Sequence, residues 1–252
     1  MKLLSWNING IRAVYKSGFT SWLPNSQADI VCLQETKAKL NQLPWNLQFI
    51  PGYDFYLNPA IKKGYSGTGV FTKQKPQEVS NKLDLLRVDE EGRIQICSFP
   101  NFKLINVYVP NGSQDQRDMG YKMSFYEKFL ELLSKIKDDS VILTGDFNIA
   151  HKEIDLAKPE QNQNSTMFTP AERQQIQNIL DLGYADTFRM FNKGGGNYSW
   201  LSYYTNFRDN NIGWRIDYIF VSEKLTSKVK NAFILKDTEG SDHVPVGIDI
   251  DL

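Results

Sequence analysis

Short apolar runs rich in Val, Ile, Phe and Tyr set the terms on which this chain can fold. They fall at Lys2–Ile8, Asp29–Gln34, Tyr53–Leu57, Gly69–Thr72, Arg93–Phe99, Lys103–Val109, Val141–Thr144, Trp214–Val221, Lys228–Leu235 and Val246–Ile250, each bounded by Gly, Pro, Asn or Asp. That length and composition predict strands. Helical spacing intervenes between Arg117 and Lys137, where Tyr126, Phe129, Leu130, Leu133 and Ile136 recur every three or four residues. Thr169-Pro170-Ala171-Glu172 is a capping box with proline in the first turn; it predicts a helix through Ile176, Ile179 and Leu180 that ends at Gly183. A shorter helix is expected around Ser17–Gln27. Strands alternating with helices make an α/β fold. No linker divides the 252 residues, so a single domain is expected. Long polar loops at Pro110–Asp118, Ala157–Thr169 and Lys193–Asn211 are where function concentrates on a rigid scaffold. Leu3–Ile8 and Leu143–Ile149 both end an apolar strand with aromatic-Asn-Ile, a hint of two similar halves.

Charge adds an exclusion. Lys plus Arg total 29, as do Asp plus Glu, so a polyanionic partner must be held by a local basic surface. The two cysteines, Cys32 and Cys97, lie in strand-like runs without metal-ligand spacing and read as buried thiols of a reducing compartment. The amino-terminal segment turns polar too early for a signal peptide, and no apolar run approaches the ~20 residues that span a bilayer. A cytoplasmic protein without membrane contact, monomeric by default, is expected.

Chemistry is signalled by how the strands end. Asn7 and Asn9 close the first run, Glu35 follows Gln34, and Asn111 follows Tyr108-Val109-Pro110. Asp146 and Asn148 follow Val141–Thr144, Asp242 and His243 precede Val244-Pro245-Val246, and Asp217 sits inside an otherwise apolar run. Each has a plainer reading. Asn7 and Asn9 can cap a turn, Glu35 can open a solvated helix, and Asp146-Phe147-Asn148 can form an Asx turn. Asp242 can be a turn residue and His243 a surface histidine, while Asp217 requires a buried partner such as Arg215. One converging site accounts for all the positions together. Carboxylate and amide oxygens with a single histidine suit a hard cation such as Mg²⁺ or Mn²⁺. No P-loop and no Gly-x-Ser-x-Gly elbow is present, so metal-assisted phosphodiester hydrolysis is the reaction class that fits.

Six segments carry a more specific signal: Ser5–Arg12, Asp29–Lys37, Asn106–Asn111, Gly145–Asn148, Trp214–Tyr218 and Gly240–His243. In this order, over nearly the whole chain, they resemble the motifs of the exodeoxyribonuclease III/AP endonuclease family. The resemblance implies a four-layered α/β sandwich of the deoxyribonuclease-I-like type, two packed, mainly antiparallel sheets flanked by helices. It also implies Mg²⁺-dependent cleavage 5′ to abasic sites in duplex DNA, with some trimming of 3′ ends. Carried over by position, Glu35 resembles the principal metal ligand with Asn7 and Asp242 beside it. Asp146 resembles the residue that activates water or serves the leaving group, and Asn148 its amide partner; both, and His243, are candidates for further metal contact. Tyr108 and Asn111 resemble the phosphate-contacting pair, and Asp217 and His243 an Asp–His pair at the scissile phosphate. Asn9 stands where some relatives carry aspartate.

Trp200, Trp214 and Ile216 align with a small apolar pocket that would admit a bare sugar, extruded at less cost than a paired base; ordinary core packing is the alternative. Tyr204 and the Gly112–Gly120 loop resemble elements that press into the duplex. Arg12, Lys37, Lys62, Lys63, Arg208 and Arg215 are candidate phosphate contacts. Competing substrates on the same chemistry are inositol phosphates, sphingomyelin and intact duplex DNA. A non-catalytic nucleic-acid-binding module would have lost these acids, and all are present.

Overall fold

The structure, a computed structural model, describes residues 1–201 and 212–252. Among the described residues, twelve strands form two six-stranded sheets. The first contains β1 (Lys2–Asn7), β2 (Ile30–Gln34), β3 (Asp54–Asn58), β4 (Thr68–Thr72), β11 (Val229–Ile234) and β12 (Val246–Ile250). The second contains β5 (Glu78–Ser80), β6 (Ile94–Ser98), β7 (Lys103–Tyr108), β8 (Val141–Asp146), β9 (Tyr184–Asp186) and β10 (Asp217–Ser222). Their orders are β11-β12-β1-β2-β4-β3 and β5-β6-β7-β8-β10-β9.

Strand alternation divides the core into layers. Leu3, Ile30, Cys32, Ile142, Ile219 and Val221 point between the sheets. Leu4, Trp6, Val31 and Leu33 point to the outer face of the first sheet, against Ile11, Val14, Phe19 and Leu23 of the helices Ile11–Lys16 and Phe19–Asn25. Val141, Leu143, Tyr218 and Phe220 face outward from the second sheet, against the helices Met119–Ile136 and Pro170–Asp181. Central strands buried on both faces read as continuous apolar runs, which is how they stood out in the sequence. The result is the expected four-layered sandwich, with mixed sheets that are mainly antiparallel.

The two sheets repeat one plan. From β3 across to β11, successive pairings run antiparallel, antiparallel, parallel, antiparallel, antiparallel. From β5 across to β9 the series is identical. β1 and β8 therefore occupy equivalent places. Each ends in the same turn: Asn9 N–H donates to Asn7 Oδ1 at 3.0 Å, and Asn148 N–H to Asp146 Oδ1 at 2.9 Å. Asn9 and Asn148 both have left-handed backbones, φ 46° and 51°.

Some boundaries differ from the sequence reading. The helix expected around Ser17–Gln27 is Phe19–Asn25, and an unexpected helix, Ile11–Lys16, precedes it, separated from it by Gly18 at φ 91°. The Trp214–Val221 run enters the sheet only at Asp217; Trp214 instead bridges to Trp200 and Leu156. The edge strands Glu78–Ser80 and Tyr184–Asp186, three residues each, are too short to show a period. Cys32 and Cys97 are buried free thiols, as expected. Among the described residues no helix is long and apolar enough to cross a membrane.

Candidate active site

Because β1 and β8 end side by side, Asn7 meets Asp146. The Asn7 carboxamide donates from Nδ2 to Asp146 Oδ2 and to Glu35 Oε1, both at 2.9 Å. Its oxygen is taken by Asn9 N–H, which fixes the amide's orientation. Asn7 thus presents N–H groups to the carboxylates and aligns them. Glu35 follows β2 with φ 55°, a strained conformation for a side chain that a functional position can retain. Lys37, also left-handed at φ 51°, lies 2.7 Å from Glu35 Oε2 and donates to Asn9 Oδ1. Asn9 in turn donates to Asp242 Oδ1 at 3.0 Å, and Trp200 Nε1 to Asp242 Oδ2 at 3.1 Å. Glu35 and Asp242, 207 positions apart in sequence (242 minus 35), are joined through one lysine and one asparagine.

On the other side of Asp146, His243 Nδ1 is 2.8 Å from Asp217 Oδ2, and its Nε2 lies 4.0 Å from Asp146 Oδ2. Asp217 pairs directly with Asp146 in the β10–β8 register. The histidine backbone is clamped as well: its carbonyl accepts Trp6 Nε1–H, and its N–H donates to Ser241 Oγ, which donates to Asn7 O. Asn148 donates from Nδ2 to Asp146 Oδ2 and to Val109 O. Tyr108, buried at the end of β7, has its carbonyl held by Arg93 Nη1, with the guanidinium 4.6 Å over its ring. Asn111 is exposed at the rim.

The electrostatics follow from this crowding. Burial, then the charge of Asp217, pushes Asp146 up to about 7 against the opposing pull of His243 and Asn7. Burial disfavours a charged His243, but Asp217 first, then Asp146 and Asp242, outweigh it and raise the imidazole to about 10. Burial alone would raise Glu35; Lys37 and Asn7 hold it below the ordinary glutamate value. Burial likewise works against an ionised Asp242, yet His243 and the Trp200 N–H keep it low. Bonded to Asp217 and with its pKa raised, the His243 ring is set up as a hydrogen-bond donor.

A hard divalent cation fits this donor set. Four carboxylates gather against one lysine and one imidazolium, and Oδ1 of Asp217 is buried without a hydrogen-bond partner among the described residues. Ligand-type atoms of Asp146, Asp217 and His243 lie within 4.8 Å of one another. Glu35, Asp146 and Asp242 offer carboxylate oxygens that such an ion prefers.

Beside the acids lies an apolar cluster. Trp214 packs edge-on to Trp200 and Phe168, above buried Ile216, Ala150 and Leu156. Trp200, Trp214 and Met167 line a groove of about 790 Å³ that opens at Asn111 and is walled by Ser113, Gln116 and Asn162. Ile216, 1% exposed, supports this groove from below. Arg215 requires correction: it is fully buried, bonded to Asp155 and Asp186, and is unavailable to a phosphate. Nor is it the partner of Asp217, which takes His243. Arg12, Lys62 and Lys63 are exposed and Lys37 partly so, while Tyr204 and Arg208 lie outside the described residues. Sequence reasoning missed Arg93 behind Tyr108 and the buried pair Lys122–Glu172. Lys122 was signalled by its place one turn before Tyr126 on the apolar stripe of its helix.

Comparison with known proteins gives the same outline. The endonuclease/exonuclease/phosphatase family matches residues 4–243. An exodeoxyribonuclease of Bacillus subtilis (strain 168) is 43% identical over 255 residues, covering 100% of both chains. A DNA-(apurinic or apyrimidinic site) endonuclease of Dictyostelium discoideum is 37% identical over 259 residues, with 100% of this chain and 71% of that one covered. Among solved structures, an AP endonuclease from Archaeoglobus fulgidus superposes over 100% of both chains with a TM-score of 0.92 at 26% identity. A 3′-5′ exonuclease (NExo) from Neisseria meningitidis does so with a TM-score of 0.91 at 28% identity. With fold, ordered motifs and full-length identity in agreement, the chain belongs to the endonuclease/exonuclease/phosphatase family.

Proposed function

We propose that this protein is a metal-dependent DNA-repair phosphodiesterase that cuts duplex DNA on the 5′ side of abasic sites and trims 3′ ends. The observation that carries this reading is the pairing of Asp146 with both the Asn7–Glu35 bond and the Asp217–His243 pair, directly beside a tryptophan-lined groove. The catalytic half accounts for phosphodiester hydrolysis and the groove for a sugar without its base. The exodeoxyribonuclease and AP endonuclease relatives support it.

Bound among the oxygens of Glu35, Asp146 and Asp242, a divalent ion, Mg²⁺ with Mn²⁺ as substitute, would supply charge neutralisation at the scissile phosphoryl oxygens and the leaving oxygen. The chain's own groups do the rest. Asp146, with a pKa near neutrality, accepts a proton from the attacking water at Oδ2. His243, charged and held by Asp217, donates from Nε2 to a non-bridging phosphoryl oxygen as negative charge grows there. Asn148 holds Asp146 in place, the Tyr108 hydroxyl adds a second donor, and Asn111 contacts the phosphate at the rim. Trp200 and Trp214 receive the extruded sugar and exclude one that carries a base. Arg12, Lys37, Lys62 and Lys63 hold flanking phosphates without reading sequence.

The test is cleavage of a labelled duplex carrying one abasic analogue, with and without chelator, beside an intact duplex and a phosphoinositide. Metal-dependent incision 5′ to the analogue is expected; equal cutting of intact DNA, or activity on the phosphoinositide alone, would overturn the reading. A 3′-recessed duplex belongs in the same assay, because the Neisseria neighbours are described as a 3′-5′ exonuclease and as a 3′ phosphatase bound to product DNA hairpin.

A further inference from the structure

Lys122 is 0% exposed, and all three of its ammonium hydrogens are committed. Nζ donates to Asn148 O at 2.7 Å, to Asn111 O at 3.3 Å and to Glu172 Oε1 at 2.6 Å. Glu172, equally buried, is saturated in turn: Oε1 also accepts Met167 N–H, and Oε2 accepts the N–H and hydroxyl of Thr169. The lysine stem packs 3.4 Å from the position a Cβ would take on Gly112. One ammonium thus touches the main-chain carbonyls of Asn148, beside Asp146, and of Asn111, at the groove's rim. Its counter-ion fixes Met167, which lines the groove. Removing a charged pair from water is costly, and apolar residues would fill the space at lower cost, so retention of the pair for stability alone is weakly motivated.

We propose that Lys122 is a positioning residue. It sets Asn111 and Asn148 from behind and, through Glu172, locks them in register with the Met167 wall of the groove, so that the sugar pocket and the cleavage machinery keep one spacing. This rests on the roles given above to Asn111, Asn148 and the groove. Catalytic groups held about 1 Å out of place lose on the order of 10²-fold in rate, whereas a purely structural pair affects rate only through the folded fraction.

The test compares Lys122→Met/Glu172→Gln, Lys122→Gln/Glu172→Gln and Lys122→Arg in the full chain. Glutamine at 172 keeps a carbonyl for Thr169 and removes the lone buried charge that a single substitution would strand. Each is assayed well below its melting temperature on the abasic and intact duplexes. For the double variants we expect kcat on the abasic duplex to fall on the order of 10²-fold with KM nearly unchanged, together with a smaller abasic-to-intact ratio. Lys122→Arg, which keeps charge and donors, is expected to recover most of that loss. A folded double variant with wild-type kcat and ratio overturns the proposal, as does failure of both double variants to fold, which would assign the pair to stability. A wild-type protein inactive on the abasic duplex would sink the functional reading itself and this inference with it.

Discussion

Asp146 is the residue whose environment makes the sharpest demand. Its pKa of about 7 lies above the ~3.9 of an unfolded aspartate, so the stability it contributes is complete below pH ~4 and is lost as pH rises to about 7. A cation that favours the carboxylate reverses this penalty and must expel a proton wherever Asp146 is still protonated. We therefore expect Mg²⁺ affinity to rise by up to about tenfold per pH unit between pH 5 and 7 and to level off above. Titration calorimetry in buffers of different ionisation enthalpy reads the released proton; a pH-independent affinity would refute the linkage. Asp146→Asn should abolish the release and cut kcat by roughly 10²–10⁴-fold, while duplex binding survives. His243 has the same sign with a different window: raised to about 10, it favours the folded state fully below pH ~6.5 and loses that contribution as pH climbs through 10. Asp217→Asn removes the largest charge holding the imidazolium. The alkaline limb of the pH–rate profile should then move from near pH 10 toward neutrality, and a profile left in place would show that Asp217 does not govern this histidine.

At the level of elements, the site exists because β1 and β8 end in the same turn at equivalent places in two like-built sheets. β8 reaches that turn only through Gly145, whose φ is 141° and whose missing Cβ would stand 1.9 Å from Val107 O. Gly145→Ala must push β7 and β8 apart, so a destabilisation of about 4 kcal/mol or more is expected from thermal or denaturant unfolding; a near-native melting temperature would show that the parallel pair yields easily. The sequence announced these elements where burial on both faces produced unbroken apolar runs, and it announced the site where a strand ended in an acid or amide instead of a plain turn residue. The Asx-turn reading of Asp146–Asn148 and the catalytic reading proved compatible, since one Asp146 oxygen caps the turn and the other faces the site. Less legible were partnerships that depend on three-dimensional approach. Nothing in spacing distinguished Lys37, which lies on Glu35, from Arg215, which is buried between Asp155 and Asp186 in the same kind of motif loop. Three-residue edge strands are held by their neighbours and carry no period of their own.

For the whole molecule the difficulty is a polyanion on a chain of formal net charge +0. Attraction has to come from the distribution of charge, and near the site that means Arg12, Lys62 and Lys63, exposed, with Lys37 largely engaged by Glu35. Lys62 and Lys63 lie on the loop that carries Tyr65, whose hydroxyl accepts from the Arg93 guanidinium set over Tyr108, so this loop is the natural flank for a duplex passing the catalytic groups. Phosphate contacts of this kind release counterions, and each adds about 0.9 to the steepness with which log affinity falls against log salt. Lys62→Ala/Lys63→Ala should therefore flatten the slope by roughly 2 and weaken abasic and intact duplexes alike. Trp214→Ala should do the opposite: it leaves the slope unchanged but lowers the ratio of abasic to intact cleavage, since the indole forms the groove and carries no charge. Measured together, the two variants separate holding the helix from recognising the missing base. If the tryptophan change altered the salt slope, or the lysine changes altered the ratio, affinity and selectivity would share one surface and the division of labour between basic loop and apolar groove would be wrong.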